Sequence, residues 1–155
     1  MKRFILSTAL LLSMTLCFAQ KVYQGMSSYS ADVVCNFRNE KLYKGNSSYS
    51  GDVLASFDGS KLFRGNSSYS ADALFTYKNG KIYRGLSTYS ADVVATWRDG
   101  KMYKGSSSYQ GDILFNYRNN KVYKGNSSYV GDVLLNTSAP LHPVLLYWVL
   151  NRTDQ

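Results

Sequence analysis

Between Ala73 and Tyr83, apolar and polar side chains take turns along the chain. Ala73, Phe75, Tyr77 and, past a two-residue gap, Ile82 fall on one side of an extended backbone. Thr76, Lys78, Lys81 and Tyr83 fall on the other, with Leu74 as its main aliphatic. Twenty residues on, Val93, Ala95, Trp97 and Met102 repeat the drier side. Alternation of period two describes half-buried antiparallel strands, and helical spacing fits none of it. The gaps are Asn79-Gly80, Asp99-Gly100 and Asn119-Asn120, pairs that tolerate positive φ at both central positions of a type I′ hairpin turn. Gly59-Ser60 fits type II′. Asn39-Glu40 is the least suited of the five, expected to turn only because its neighbours dictate it. A two-residue turn sets Tyr77 against Ile82, Thr76 against Tyr83 and Phe75 against Arg84.

This pattern has a strict period of twenty residues. Six units open at Lys21, Lys41, Lys61, Lys81, Lys101 and Lys121 without an insertion. Five offsets never vary among them: the opening Lys, a Gly (Gly25 and equivalents), a Ser (Ser27), a Tyr (Tyr29) and an Asp (Asp32). A fixed period of this length signals a repeat architecture in which each unit buries its apolar face on its neighbours. Between hairpins runs a small, polar connection such as "GNSSYSAD", where Gly permits a tight exit and Ser and Asp can bond nearby amides.

Five turns make five hairpins and leave two strands unmated, residues 22–25 and 133–136. Each is the half that the other lacks. An open stack would expose both edges and would normally carry polar capping repeats, yet the first and last units are ordinary. The expected fold is therefore all-β, six hairpin repeats closed into a twelve-stranded antiparallel ring or barrel; the alternative is an open linear stack. Twelve strands enclose more space than an eight-stranded barrel fills. Outside the repeats lies residues 138–155, with an apolar helix expected at about 143–151, since Pro143 suits a first helical turn and residues 144–150 are apolar on every side. It is expected to plug the ring, with a further strand or membrane contact as competing roles.

Residues 1–19 have the layout of a secretory signal peptide cleaved after Ala19: Lys2 and Arg3, an apolar run over 4–12, then "CFAQ". A membrane anchor or acylation at Cys17 are the alternatives. Cleavage lowers the formal charge from +8 to +6 and leaves one cysteine, Cys35, which cannot form an internal disulfide and sits where other units carry Ala or Phe. A small buried apolar role is expected for it. The localisation implied is extracellular or periplasmic, with cell-surface association as one form of it, which disfavours nucleic acid as a partner despite the charge.

Catalytic chemistry is hard to assemble from these residues. His142 is the one histidine and lies near prolines in the tail, read as a linker residue. No Cys or His cluster has zinc spacing, no glycine loop cradles phosphate, and the six Asp are spread one per unit rather than paired. The chain is therefore read as non-enzymatic, without cofactor or metal, the aspartates serving as acceptors inside the loops. Two basic sets remain. Lys44, Arg64, Arg84, Lys104 and Lys124, with Gln24 in the first unit, lie at one offset on the dry face and would circle one opening. Their stems are expected to cover apolar surface while their heads reach water, a ligand site being the alternative. Arg38, Lys41, Lys78, Lys81, Arg98, Lys101, Arg118 and Lys121 flank the turns, as a solvated tip or a rim for an anionic surface. Tyr29, Tyr49, Tyr69, Tyr89, Tyr109 and Tyr129 are the large side chains of the loops. They are expected to pack over the next hairpin; the functional alternative is stacking on sugar rings at regular intervals.

Units of the form Y-x-G-x-S-x-Y-x-x-D-V followed by a two-residue turn resemble the hairpin-repeat proteins called β-flowers, over residues 21 to about 136. Twelve strands and a late apolar helix are also similar to the Tubby C-terminal domain, a resemblance that implies phosphoinositide headgroup binding at a basic surface. No Tubby motif is matched, and export argues against a cytoplasmic lipid. A fainter likeness to MORN and choline-binding hairpin repeats lacks the paired Trp of choline cages, since Trp97 and Trp148 stand alone. The function expected is a secreted or periplasmic, monomeric module binding an anionic membrane surface, lipopolysaccharide or other glycan. A structural or assembly protein and a carrier of apolar small ligands are the alternatives.

Overall fold

The computed structural model describes residues 19–153; the proposed signal segment and Cys17 fall outside them, apart from Ala19. Twelve strands follow one another: β1 (Gln20–Gln24), β2 (Val33–Arg38), β3 (Lys41–Lys44), β4 (Val53–Phe57), β5 (Lys61–Arg64), β6 (Ala73–Lys78), β7 (Lys81–Arg84), β8 (Val93–Arg98), β9 (Lys101–Lys104), β10 (Ile113–Arg118), β11 (Lys121–Lys124) and β12 (Val133–Thr137). Each pairs antiparallel with its sequence neighbours, and β1 pairs with β12 to close the barrel. The closing register sets Val22 against Thr137 and Gln24 against Leu135. Closure satisfies the row of backbone groups that an edge strand would leave open.

The hairpin turns follow from their residue types. Both central residues have positive φ at Asn39-Glu40 (50° and 62°), Asn79-Gly80, Asp99-Gly100 and Asn119-Asn120, whereas at Gly59-Ser60 only Gly59 does, at 96°. In that last turn the Asp58 carboxylate accepts from the Ser60 and Lys61 amides at 2.8 and 2.6 Å. Slight burial pushes this carboxyl up, but those amides, the Ser60 hydroxyl and the Lys61 charge outweigh it and hold the group below its usual value. Register is as the two-residue turns require: Tyr77 faces Ile82, Thr76 faces Tyr83 and Phe75 faces Arg84.

One expectation about the faces is corrected. Ile82 pairs with Ala95, but Tyr83 pairs with Val93, so Val94 is an extra residue. The same bulge recurs between the hairpins, as at Leu62/Phe63. A bulge reverses which face the following residues take. Ala73 and Val93 therefore lie outside beside Phe63 and Tyr83, while Leu74 and Val94 turn in and pack on the core.

Inside the barrel, Val22, Leu42, Leu62, Ile82, Met102 and Val122 form a fully buried belt. The helix α1 (Pro143–Thr153) runs through it, with Val144, Leu145, Leu146 and Val149 buried in the same core. Its first turn is at the hairpin-turn end, where His142 packs 4.7 Å from the Phe57 ring and 4.6 Å from that of Tyr77. A helix has no sixfold symmetry, so the strand positions facing it differ in size from unit to unit. Cys35, Ala55, Phe75, Ala95, Phe115 and Leu135 share one offset, and there Phe75 meets Tyr147 edge-on at 5.5 Å. Cys35 is buried, and its burial pushes the thiol up to about 12 despite the charge of Arg152.

Candidate functional site

Each connection between hairpins folds back along the outside of the barrel wall. Its anchor is a short polar residue at one strand offset: Asn36, Ser56, Thr76, Thr96, Asn116 or Asn136. Asn116 Nδ2 donates to the carbonyls of Gly125 and Ser127 at 3.0 and 2.7 Å, and Thr76 Oγ1 donates to that of Gly85 at 2.7 Å. The loops cover an outer layer of aromatic residues, Tyr43, Phe63, Tyr83, Tyr103 and Tyr123, all buried. Within each loop the Ser hydroxyl donates to the Asp carboxylate and accepts from the Tyr amide, as for Ser67 with Asp72 (2.6 Å) and Tyr69 (3.1 Å). The aspartates are thus acceptors inside their own loops. The invariant Ser-x-Tyr-x-x-Asp spacing exists to close this lock.

The lock presents the tyrosines to solvent. Tyr29, Tyr49, Tyr69, Tyr89, Tyr109 and Tyr129 are 73–78% exposed, so they do not pack over the next hairpin as expected. The loop's own polar groups bond one another, and the ring is left outside that network. Beside them stand the turn cations. Arg38 faces Lys41, Lys78 faces Lys81, Arg98 faces Lys101 and Arg118 faces Lys121 across their hairpins. Arg98 and Arg118 lie over the Tyr103 and Tyr123 rings at 4.9 and 5.0 Å, a favourable cation–π placement. Arg118 Nη2 also donates to the Ser128 carbonyl at 3.3 Å, one residue from the exposed Tyr129. A groove of about 200 Å³ runs between the 99–101 turn and the 126–128 loop, and one of about 250 Å³ takes the corresponding place by Glu40 and Asn66.

The second predicted set occupies a different surface. Lys44, Arg64, Arg84, Lys104 and Lys124 are exposed and pair with Cys35, Ala55, Phe75, Ala95 and Phe115, which places them on the inner face at one mouth. With Gln24 they encircle that opening. The fold therefore separates the loop tyrosines, outside the wall, from this ring inside it. The tyrosines share the outer side with the turn cations, and Arg118 reaches the loop of Tyr129.

Sequence reasoning missed the anchor at the position of Asn36 and its equivalents, although its restriction to Asn, Ser and Thr among apolar neighbours was a usable signal. It also missed the role of His142, whose Nδ1 accepts from the Val144 amide at 3.3 Å and caps the helix. Burial holds this imidazole below its usual value. Among the described residues no group of three or more His, Cys, Asp or Glu is placed to hold a metal ion, and no helix is long and apolar enough to cross a membrane.

No curated protein and no solved structure matches the chain, so the likeness to the Tubby C-terminal domain rests on strand number and a late helix alone. The family described as 6-fold beta flower protein matches residues 22–146, a span that takes in nearly all of the repeats and the first turn of the helix. Six equivalent petals around a closed twelve-stranded barrel account for that match, and the chain belongs to the 6-fold beta flower family.

Proposed function

We propose that the chain is a non-catalytic module, secreted or periplasmic, that binds an anionic or glycan-rich surface through its petals. The observation that carries this reading is the sixfold array of exposed loop tyrosines beside cationic turns. An aromatic ring held outward on a locked loop loses little conformational freedom on meeting a sugar face. Directly opposed cations destabilise a hairpin slightly, and four hairpins keep them, which favours an anionic partner. One petal contacts a small area and binds weakly. Repetition around a rigid ring raises avidity without any new contact.

The test is retention of the protein on heparin, lipopolysaccharide and acidic liposomes as salt is raised, because exposed charge pairs are screened within about 10 Å at 0.1 M salt. Retention at low salt, lost when Tyr69, Tyr89 and Tyr109 are changed to Ser, supports the reading. No retention on any of the three at low salt overturns it and leaves a structural ring as the better account.

A further inference from the structure

Beyond the petals, the mouth ringed by Lys44 to Lys124 opens into a cavity of about 760 Å³. It is a recess open to solvent on one side and floored by the buried residues Phe115 and Leu135. Its position is not sixfold. The inward-turned bulge residues Leu54, Leu74 and Val94 pack on the core, whereas their counterparts Leu114 and Leu134 are 40% and 37% exposed. Those two leucines line the cavity beside the helix residues Tyr147 and Leu150. Leu135, Tyr147 and Leu150 complete the apolar walls, and Lys124, Gln24 and Asn151 stand among them as the polar groups.

The chemistry of the two zones is distinct. The rim carries five cations and one amide, while the loop aspartates are turned outward onto their own serines. Arg152 adds a positive charge at this end of the helix, close enough to act on the Cys35 thiol. The Arg84 charge likewise reaches the Tyr147 phenol, which burial raises and Asn151 and Arg84 pull partly back. We infer that this vestibule binds a single-chain anionic amphiphile, its acyl chain against Leu114, Leu134 and Leu150 and its carboxylate or phosphate head at Lys124. A volume in the range of roughly 300–1,000 Å³ is what a small-molecule site needs. Apolar walls with few convergent polar groups are what such a site is made of. This site is separate from the petals and stands or falls without them.

The experiment is calorimetric titration of the full chain, below micellar concentration, with dodecanoate, dodecyl phosphate and dodecyltrimethylammonium. One-to-one binding of the anionic probes is expected, weakening roughly tenfold for each two methylenes removed. Preference between the two heads identifies carboxylate or phosphate as the natural chemistry. Lys124→Gln is expected to weaken anionic probes at least tenfold, and Leu134→Trp, which fills the space, to abolish binding. Both residues are exposed, and an unchanged thermal transition certifies each variant; Leu114→Gln replaces Leu134→Trp if that variant fails to fold. Equal binding of the cationic probe, or unaltered affinity in both variants, overturns the proposal. Heparin retention is expected to be unchanged by Leu134→Trp.

Discussion

Asn136 Nδ2 donates to the Ser27 carbonyl at 3.0 Å, although 109 residues separate them. It is the same anchor that Asn36 makes to Gly45 and Ser47, made here across the closure. The first loop is therefore held by the last strand. Asn136→Ala leaves that carbonyl without its partner and removes a polar contact, with an expected cost of about 1–3 kcal/mol. Denaturant unfolding measures it. A smaller loss than that of Asn116→Ala is expected, because Asn116 holds two carbonyls and Asn136 one; a negligible loss would show that the ends are apart.

Acid should loosen the plug. The His142 imidazole has a folded value depressed below the ordinary 6.5, so the fold disfavours its protonated form. Its contribution is complete above about pH 6.5 and is lost as pH falls from there through the depressed value. Protonation at Nδ1 also removes the acceptor for the Val144 amide. His142→Asn can keep a capping acceptor without the titration. Its thermal midpoint should vary less with pH below 6.5 than that of the parent chain, and an identical slope would exclude His142 as the cause.

Cys35 should be chemically silent in the folded state. A thiol raised to about 12 and 1% exposed offers almost no thiolate at neutral pH. Iodoacetamide labelling is expected only with denaturant present, at a rate that follows global unfolding. Rapid labelling in buffer would mean that the barrel opens on its own.

Glu40 occupies the left-handed region at φ 62°, where a side chain costs about 1 kcal/mol relative to glycine. The equivalent positions in two other turns are Gly80 and Gly100. Glu40→Gly should therefore stabilise the chain by about 1 kcal/mol, partly offset by the added freedom of the unfolded state. A rise in denaturation midpoint without change in slope is the expected result, and a fall would point to a contact of the carboxylate that outweighs the strain.

What could be read ahead of the structure was what is local or arithmetical. Asn-Gly and Asp-Gly pairs name their own turn, and a strand left over at each end names its partner. Position in the barrel was harder. Val93-Val94 and Ala73-Leu74 look like ordinary alternation, because a bulge is a matter of hydrogen-bond count and leaves no polar mark. The tyrosines were misplaced for a related reason: a large ring in a polar loop suggests burial, but the Ser-Asp lock and the anchors at Thr76 and Asn116 press the backbone to the wall instead. The vestibule beside Leu114 and Leu134 was out of reach, since it depends on how a helix that shares none of the barrel's symmetry fills the bore.

An array that is open at both ends can gain or lose a unit during evolution and merely change length. This barrel has less freedom, because one α-helix packs against its inner wall. A seventh hairpin would widen the bore and strip Leu145 and Leu146 of wall on one side, while a fifth-order ring would leave them no room. Addition of a single petal is therefore penalised by the plug.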